Sequence, residues 1–264
     1  MTDHRPQTTD ISDPKQLTDA PRRALADFIL ALADTKRFLG IRYAEWCDGA
    51  PTLEASVAAS AMAQDELGHS RALLPLLKDF PDVDPAIPDE APRSHYSAVA
   101  FLDKSFSTWP TFVAANLLIG GALTIALEAA RESRYVPLRT RAGKILEEER
   151  FHWLHGEGWF KRLAADGKEV IDLATRVEAI LPQALCWFGR AEDGWLAREK
   201  ILDADADELR ARFLNRAAPL IGKMQGTRLT RIENGGWQYG GALPWAQFDP
   251  VTRRVNSRTV NSGQ

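Results

Sequence analysis

Cysteine is almost missing from this chain. Its 264 residues hold only Cys47 and Cys186, far apart and without CxxC spacing. That argues against a disulfide scaffold, a zinc ribbon or an iron–sulfur cluster, and suits a reducing compartment. Net charge is also small: 33 basic residues face 36 acidic ones, a balance of −3. Such a surface has no excess with which to hold nucleic acid or an anionic membrane. No uninterrupted apolar run reaches the length of about 18 residues that a spanning helix needs. The first residues are polar and show no apolar core of a signal peptide. The expectation is therefore a cytoplasmic protein. GxGxxG, P-loop and GxSxG patterns are absent, as is any helical-repeat period. What is present is apolar mass, 45% of the chain, enough to bury a sizeable core in one large domain.

The pattern of breakers divides the chain into helices. Residues 1–17, rich in Thr, Asp, Pro and Gln, are expected to be a disordered arm. The first helix is expected from Asp19 as N-cap to about Cys47, where Asp48-Gly49-Ala50-Pro51-Thr52 ends it. Thr52 should cap a second helix running to about Lys78. Pro81, Pro85, Pro88 and Pro92 then impose a loop, followed by a short segment near 94–107. A third helix is expected from Trp109-Pro110 to about Arg134, and a fourth from Val136-Pro137 to about Gly167. A fifth covers about 168–189, kinked at Pro182, and a sixth about 204–223, capped by Asp203. Beyond Gly226, glycines alternate with Trp237, Tyr239, Trp245 and Phe248, which suggests an irregular wrap with a hairpin. The expected class is all-α: two helical hairpins and additional helices over 18–224, then an irregular extension over 225–264 that packs on the bundle or on a partner. Trp237 and Trp245 are candidates for an interface, with packing on the same bundle the alternative.

Two helices carry the chemistry. Gln64-Asp65-Glu66-Leu67-Gly68-His69 lies on the second, and Glu147-Glu148-Glu149-Arg150-Phe151-His152 on the fourth. Each places a Glu and a His three residues apart, on one face and one turn from each other. Two such helices face to face can hold two metal ions, with the glutamates bridging. Imidazole and carboxylate ligands suit iron, or manganese, more than copper. The stripes around them are apolar: Ala55, Ala59, Met62 and Leu73 on one helix, Ala142, Ile145, Gly156 and Trp159 on the other. A Glu and a His inside such a stripe are costly unless paired or metal-bound. One Glu-x-x-His is commonly a solvated pair; two, on equivalent helices, point to metal ligands Glu66, His69, Glu149 and His152.

A full two-metal set also needs one carboxylate from each of the other two helices. Glu45 and Glu128 each precede a motif glutamate by 21 residues. Hairpin geometry removes Glu45. With the turn near residue 49, Glu66 is level with about residue 32, so Glu45 lies roughly 20 Å away along the axis. With the second turn near 136–137, Glu149 is level with about residue 124, and Glu128 is only about 6 Å off. Glu128 and Asp34 are thus the additional candidates; for Asp34 the alternative is a solvated surface acid. His4 falls in the arm, His95 in a loop, and His155 is read as a helix-surface residue.

At these residues the chain resembles the oxygenase-component subunits of the phenylacetyl-CoA epoxidase family, ferritin-like proteins that include a catalytic di-iron subunit and a related structural subunit. The resemblance covers about residues 20–250. It is carried by Ala50-Pro51-Thr52-Leu53, by both Glu-x-x-His segments, by Phe188-Gly189, by Asp207-Glu208-Leu209-Arg210-Ala211-Arg212-Phe213 and by Trp245-Ala246-Gln247-Phe248. Glu45-Trp46-Cys47 is similar to the structural subunit, the second-helix metal motif to the catalytic one. Gapless matching to the catalytic pattern sets Lys36 and Gly120 where the family has its two other carboxylate ligands. Three outcomes follow: open positions filled by water or substrate, substitution by other acids, or Lys36 standing in the cavity as a cation and abolishing metal binding. The resemblance implies a two-iron oxygenase acting on an aromatic or related acyl-CoA, fed by an external reductase. The alternatives are a non-catalytic, CoA-binding scaffold subunit with a degenerate, metal-free site, and an iron-handling ferroxidase. It also implies assembly with a homologous ferritin-like subunit or with further copies of the chain.

Overall fold

The computed structural model describes residues 9–224 and 229–256. His4 and the outer parts of both expected terminal segments lie outside the described residues. Helix α1 spans Asp19–Ala44 and α2 Leu53–Leu73. Thr18, not Asp19, is the extended residue before α1, and Asp19 sits in the first turn, where its charge suits the helix dipole. Thr52 caps α2: its hydroxyl accepts from the Ala55 N–H at 3.2 Å. α1 and α2 form a tight antiparallel hairpin. Gly40 permits it, because a Cβ there would stand 2.8 Å from Leu67 Cγ and 3.1 Å from the Ala63 carbonyl. Past Leu73 the helix tightens into a 3₁₀ stretch, Leu74–Asp79, and stops before the proline-rich loop.

The expected third helix is a continuous rod with an irregularity in it. α3 spans Trp109–Ala115, a π-helical segment Asn116–Gly120 follows, and α4 spans Gly121–Ala129. By length and composition Trp109–Ala129 could cross a membrane, at a mean hydropathy of 1.8. This corrects the sequence expectation, which counted only uninterrupted runs and stopped at Thr111, Asn116 and Thr124. The rod is instead the centre of the bundle, 94% buried.

α5 (Val136–Ala165) returns antiparallel to the rod. Phe28, Ile29, Leu32, Leu39, Phe112, Leu118, Leu123, Ile145 and Phe160 fill the space among these helices and are essentially inaccessible. α6 (Glu169–Trp187) packs on α3 with Pro182 inside it. A single turn, α7 (Trp195–Arg198), leads to α8 (Ala206–Ile221), which packs on α4. Asp205, not Asp203, caps α8, its carboxylate accepting from the Glu208 N–H at 3.0 Å; Asp203 pairs with Arg212 instead.

Among the described residues the strands are short. β1 (Thr230–Glu233) pairs antiparallel with β2 (Gly236–Tyr239), Thr230 opposite Tyr239. The two-residue turn Asn234-Gly235 has φ of 52° and 79°, the positive values a tight hairpin demands. β3 (Phe248–Asp249) pairs with β4 (Arg254–Val255). Both tail tryptophans pack back on the same chain: Trp237 lies against the core, and Trp245 stacks under Arg190 and Arg210. The stretch expected as an arm through residue 17 is anchored from Asp10 onward. Ile11 is buried and bridges Tyr135, Asp10 pairs with Arg139, and Asp13 caps a turn at Pro14–Gln16. The whole is an all-α, ferritin-like bundle with a C-terminal tail.

Candidate metal centre

The two Glu-x-x-His segments meet. Glu66, His69, Glu149 and His152 are all buried, as are the apolar residues of their stripes on α2 and much of α5. Ligand atoms of Glu66, Glu149 and His152 lie within 4.8 Å of one another. Each imidazole turns Nδ1 inward. His69 Nδ1 is 3.4 Å from Glu149 Oε1, and His152 Nδ1 is 3.4 Å from both Glu66 Oε1 and Glu149 Oε1. The outer nitrogens are braced across the helix pair. His69 Nε2 sits 2.6 Å from Glu148 Oε2, and His152 Nε2 sits 3.1 Å from Asp65 Oδ2. Each motif therefore supplies the carboxylate that orients the other motif's histidine, an arrangement typical of metal-binding imidazoles.

Lys36 occupies the middle. It is fully buried on α1, with Nζ 2.6 Å from Glu149 Oε1 and 3.2 Å from Glu66 Oε1. The Thr124 hydroxyl, on α4, lies 2.8 Å from Glu149 Oε2 and 3.0 Å from the Gly120 carbonyl. Its one proton serves either acceptor. Gly120 itself leaves room on that wall: an added Cβ would meet only the Tyr43 hydroxyl, at 3.7 Å. Tyr43 is buried too, and accepts a hydrogen bond from Asn116 Nδ2 at 3.3 Å.

Electrostatics follow from these contacts. Burial alone would raise both carboxyls, but the Lys36 ammonium and the two imidazoles overcome it, bringing Glu66 down to about 2 and Glu149 well below its usual range. Burial alone would lower both imidazoles, but hydrogen bonds to Glu149 and Glu66 raise His69 to about 9 and His152 to about 10. Lys36 is likewise raised against its burial by the same two carboxylates. Without metal, the cage is thus a closed network of three cations and two anions.

The other candidates are placed elsewhere. Asp34 is not a solvated surface acid. It is fully buried, paired with Arg93, and accepts from the Ser97 N–H at 2.8 Å, fastening the proline-rich loop to α1. Glu128 is more than a third exposed and pairs with Arg216 of α8 at 2.8 Å, in the lining of an open cavity that also includes Thr124 and Glu149. Glu45 ends α1, bonded to Arg42 and Ser105. His155 is half-buried against Trp109 and Phe112, not on the surface, and burial pushes it down to about 4. Sequence reading overlooked Asp65, Glu148, Thr124 and Tyr43. Thr124 was within reach, since hairpin geometry sets residue 124 level with Glu149.

The donor set does not suit a pair of ions. Four carboxylates balance two dications, whereas here two inner carboxylates share their space with an ammonium. Glu66 Oε2, His69 Nδ1 and His152 Nδ1 turn inward and are already taken up by ion pairs with Lys36, Glu149 and Glu66, so the donors suit at most one dication, once Lys36 yields its place.

A family model described as "Phenylacetic acid catabolic protein" matches residues 1–238. The chain belongs to this family. A curated relative, one of the subunits of 1,2-phenylacetyl-CoA epoxidase from Escherichia coli (strain K12), is 25% identical over 142 residues. That match covers 53% of this chain and 57% of the relative, so it spans little more than half of either. Membership explains the helical frame and the paired motifs, while Lys36 and Thr124 give this chain's cage its particular character.

Proposed function

We propose that this protein is a subunit of a phenylacetyl-CoA-epoxidase-type oxygenase complex, in which it scaffolds a metal-bearing homologue and does not itself activate oxygen. One observation carries this reading: the Lys36 ammonium lies between Glu66 and Glu149, 2.6 Å from the latter. A cation already neutralises the bridging carboxylates, and repels any ion approaching them. Lys36 and Gly120 stand where the resemblance expects the two other carboxylates. The relative from Escherichia coli is itself described as one part of an epoxidase, which supports a partner role. The chain would act in the cytoplasm, alongside a homologous ferritin-like chain that takes an aromatic acyl-CoA and receives electrons from a reductase. Under this reading residues 18–224 form the helical domain, and the described part of the extension, 229–256, packs on it.

The second reading, a di-iron oxygenase subunit in its own right, draws support from the inward-turned Nδ1 atoms beside both glutamates and the braces that hold them. Reconstitution separates the two. The chain mixed with a reductase and phenylacetyl-CoA should consume no oxygen above background. The same mixture with the catalytic homologue should turn over, and the two chains should co-elute on size exclusion. Epoxide formation by this chain alone would overturn the scaffold reading.

A further inference from the structure

A second concavity lies on the other face of α4. Ala126 lines it, whereas Thr124 faces the cage. The cavity, about 220 Å³, opens between the N-terminal half of α1, the C-terminal end of α6 and the turn before β4. Cavities of about 150 Å³ already accept benzene. Phe28, Trp187, Phe188 and Leu209 supply apolar wall. Six ionisable residues line it, Asp27, Asp193 and Asp205 with Arg23, Arg190 and Arg253, and of these Arg253, in the turn, is the one set against the aromatic wall.

Arg253 is held in an unusual way. Its φ is 54°, in the left-handed region that disfavours a non-glycine residue. The guanidinium lies over two adjoining rings, 5.3 Å from the centre of Phe28 and 5.5 Å from that of Trp187. Nη1 donates to the Trp187 carbonyl at 2.7 Å, and the buried Nε has no partner. Asp27 feels Arg253 through space, with no hydrogen bond between them. A largely desolvated cation with spare donors, set among aromatic walls, is a recognition element without an assigned ligand.

We propose that this cavity binds a small aromatic carboxylate, the ring against Phe28, Trp187 and Phe188 and the carboxylate on Arg253. A flat ring uses the aromatic walls, and a carboxylate matches the planar donor edge of a guanidinium. A phosphate dianion fits less well because Asp27 is close. Burial has already raised the Asp27 carboxyl to about 6, so a proton taken up with the ligand lets Asp27 donate to it instead of repelling it. The site stands apart from the cage, and the inference does not depend on the scaffold reading.

The test is titration of the full chain with benzoate, followed by calorimetry and tryptophan fluorescence, with benzamide and cyclohexanecarboxylate as controls. Saturable benzoate binding is expected, at least about tenfold tighter than benzamide, the increment of a charged hydrogen bond. Arg253→Met should lose about that factor. Ala24→Phe, which fills the cavity from α1, should abolish binding while leaving helical circular dichroism intact. If Arg253→Met fails to fold, Ala24→Phe alone decides. Equal binding of benzoate and benzamide, no saturable binding, or full binding to the filled variant overturns the proposal.

Discussion

Replacing Lys36 by methionine should be the most damaging single change that leaves the core's shape intact. Methionine matches the length of the lysine stem, so packing is largely kept and charge alone is lost. Two carboxylates with exposures of 1% would then lose their nearest cation and keep only the two imidazoliums, each 3.4 Å away. At an effective dielectric of about 20, a unit charge pair about 3 Å apart interacts by about 5 kcal/mol before desolvation is subtracted. Removing one partner of a buried ion pair costs about 3–5 kcal/mol net. For a chain of this size that corresponds to a fall in Tm of about 6–20 °C. Chemical denaturation of the metal-free protein at pH 7 measures it. The loss should shrink toward pH 5, because a carboxyl without the ammonium is raised by burial and takes up a proton. Glu66→Gln and Glu149→Gln added to Lys36→Met should recover much of the loss, since the imidazoles then lose their inner carboxylates and can discharge, and a neutral buried group is far milder than an orphaned charge. A loss below about 1 kcal/mol would refute the reasoning, for it would mean that Lys36 is solvated rather than clamped between the glutamates.

Two further outcomes follow from the same region. His155 lies below its ordinary value, at about 4, so the unfolded chain binds its proton first: this contribution is full above about pH 6.5 and is lost as pH falls toward 4. His69 and His152 lie above theirs, at about 9 and 10, so their contribution is full below about pH 6.5 and is lost as pH rises through those values. Denaturation across pH should show the metal-free chain most stable near neutrality, with His155→Phe flattening the acid limb only. Gly156→Ala should destabilise by about 1–3 kcal/mol, because its Cβ would fall 2.1 Å from Asn116 Oδ1; an unchanged Tm would contradict that contact.

Much of the frame could be read from local signals. Pro and Gly breakers, the Thr52 cap and the apolar stripes located the long helices to within a few residues, because each signal acts over one turn of chain. The paired Glu-x-x-His segments were equally legible, since a three-residue spacing fixes a shared helix face. What failed depended on distant partners. Asp34 looked like a free acid because Arg93, which neutralises it, arrives from a loop 59 residues away. Glu128 had nearly the right height, but Arg216 on α8 takes up its carboxylate. The rod Trp109–Ala129 escaped notice as a membrane-length segment because isolated Thr and Asn interrupt it, and Thr124 then proved to touch the cage. Lys36 is the intermediate case: pattern matching located it, but only the three-dimensional arrangement brings its ammonium to both glutamates.

The scaffold reading requires that the Lys36 ammonium close this cage in place of a metal pair. Metal analysis of the chain purified from iron-supplemented cells tests that most directly, alongside Lys36→Glu/Gly120→Glu, which rebuilds the two missing carboxylates. Far less than one ion per wild-type chain is expected, and about two in the double variant, as four carboxylates and two histidines require. About two irons in the wild-type chain, with Lys36 in place, would contradict it.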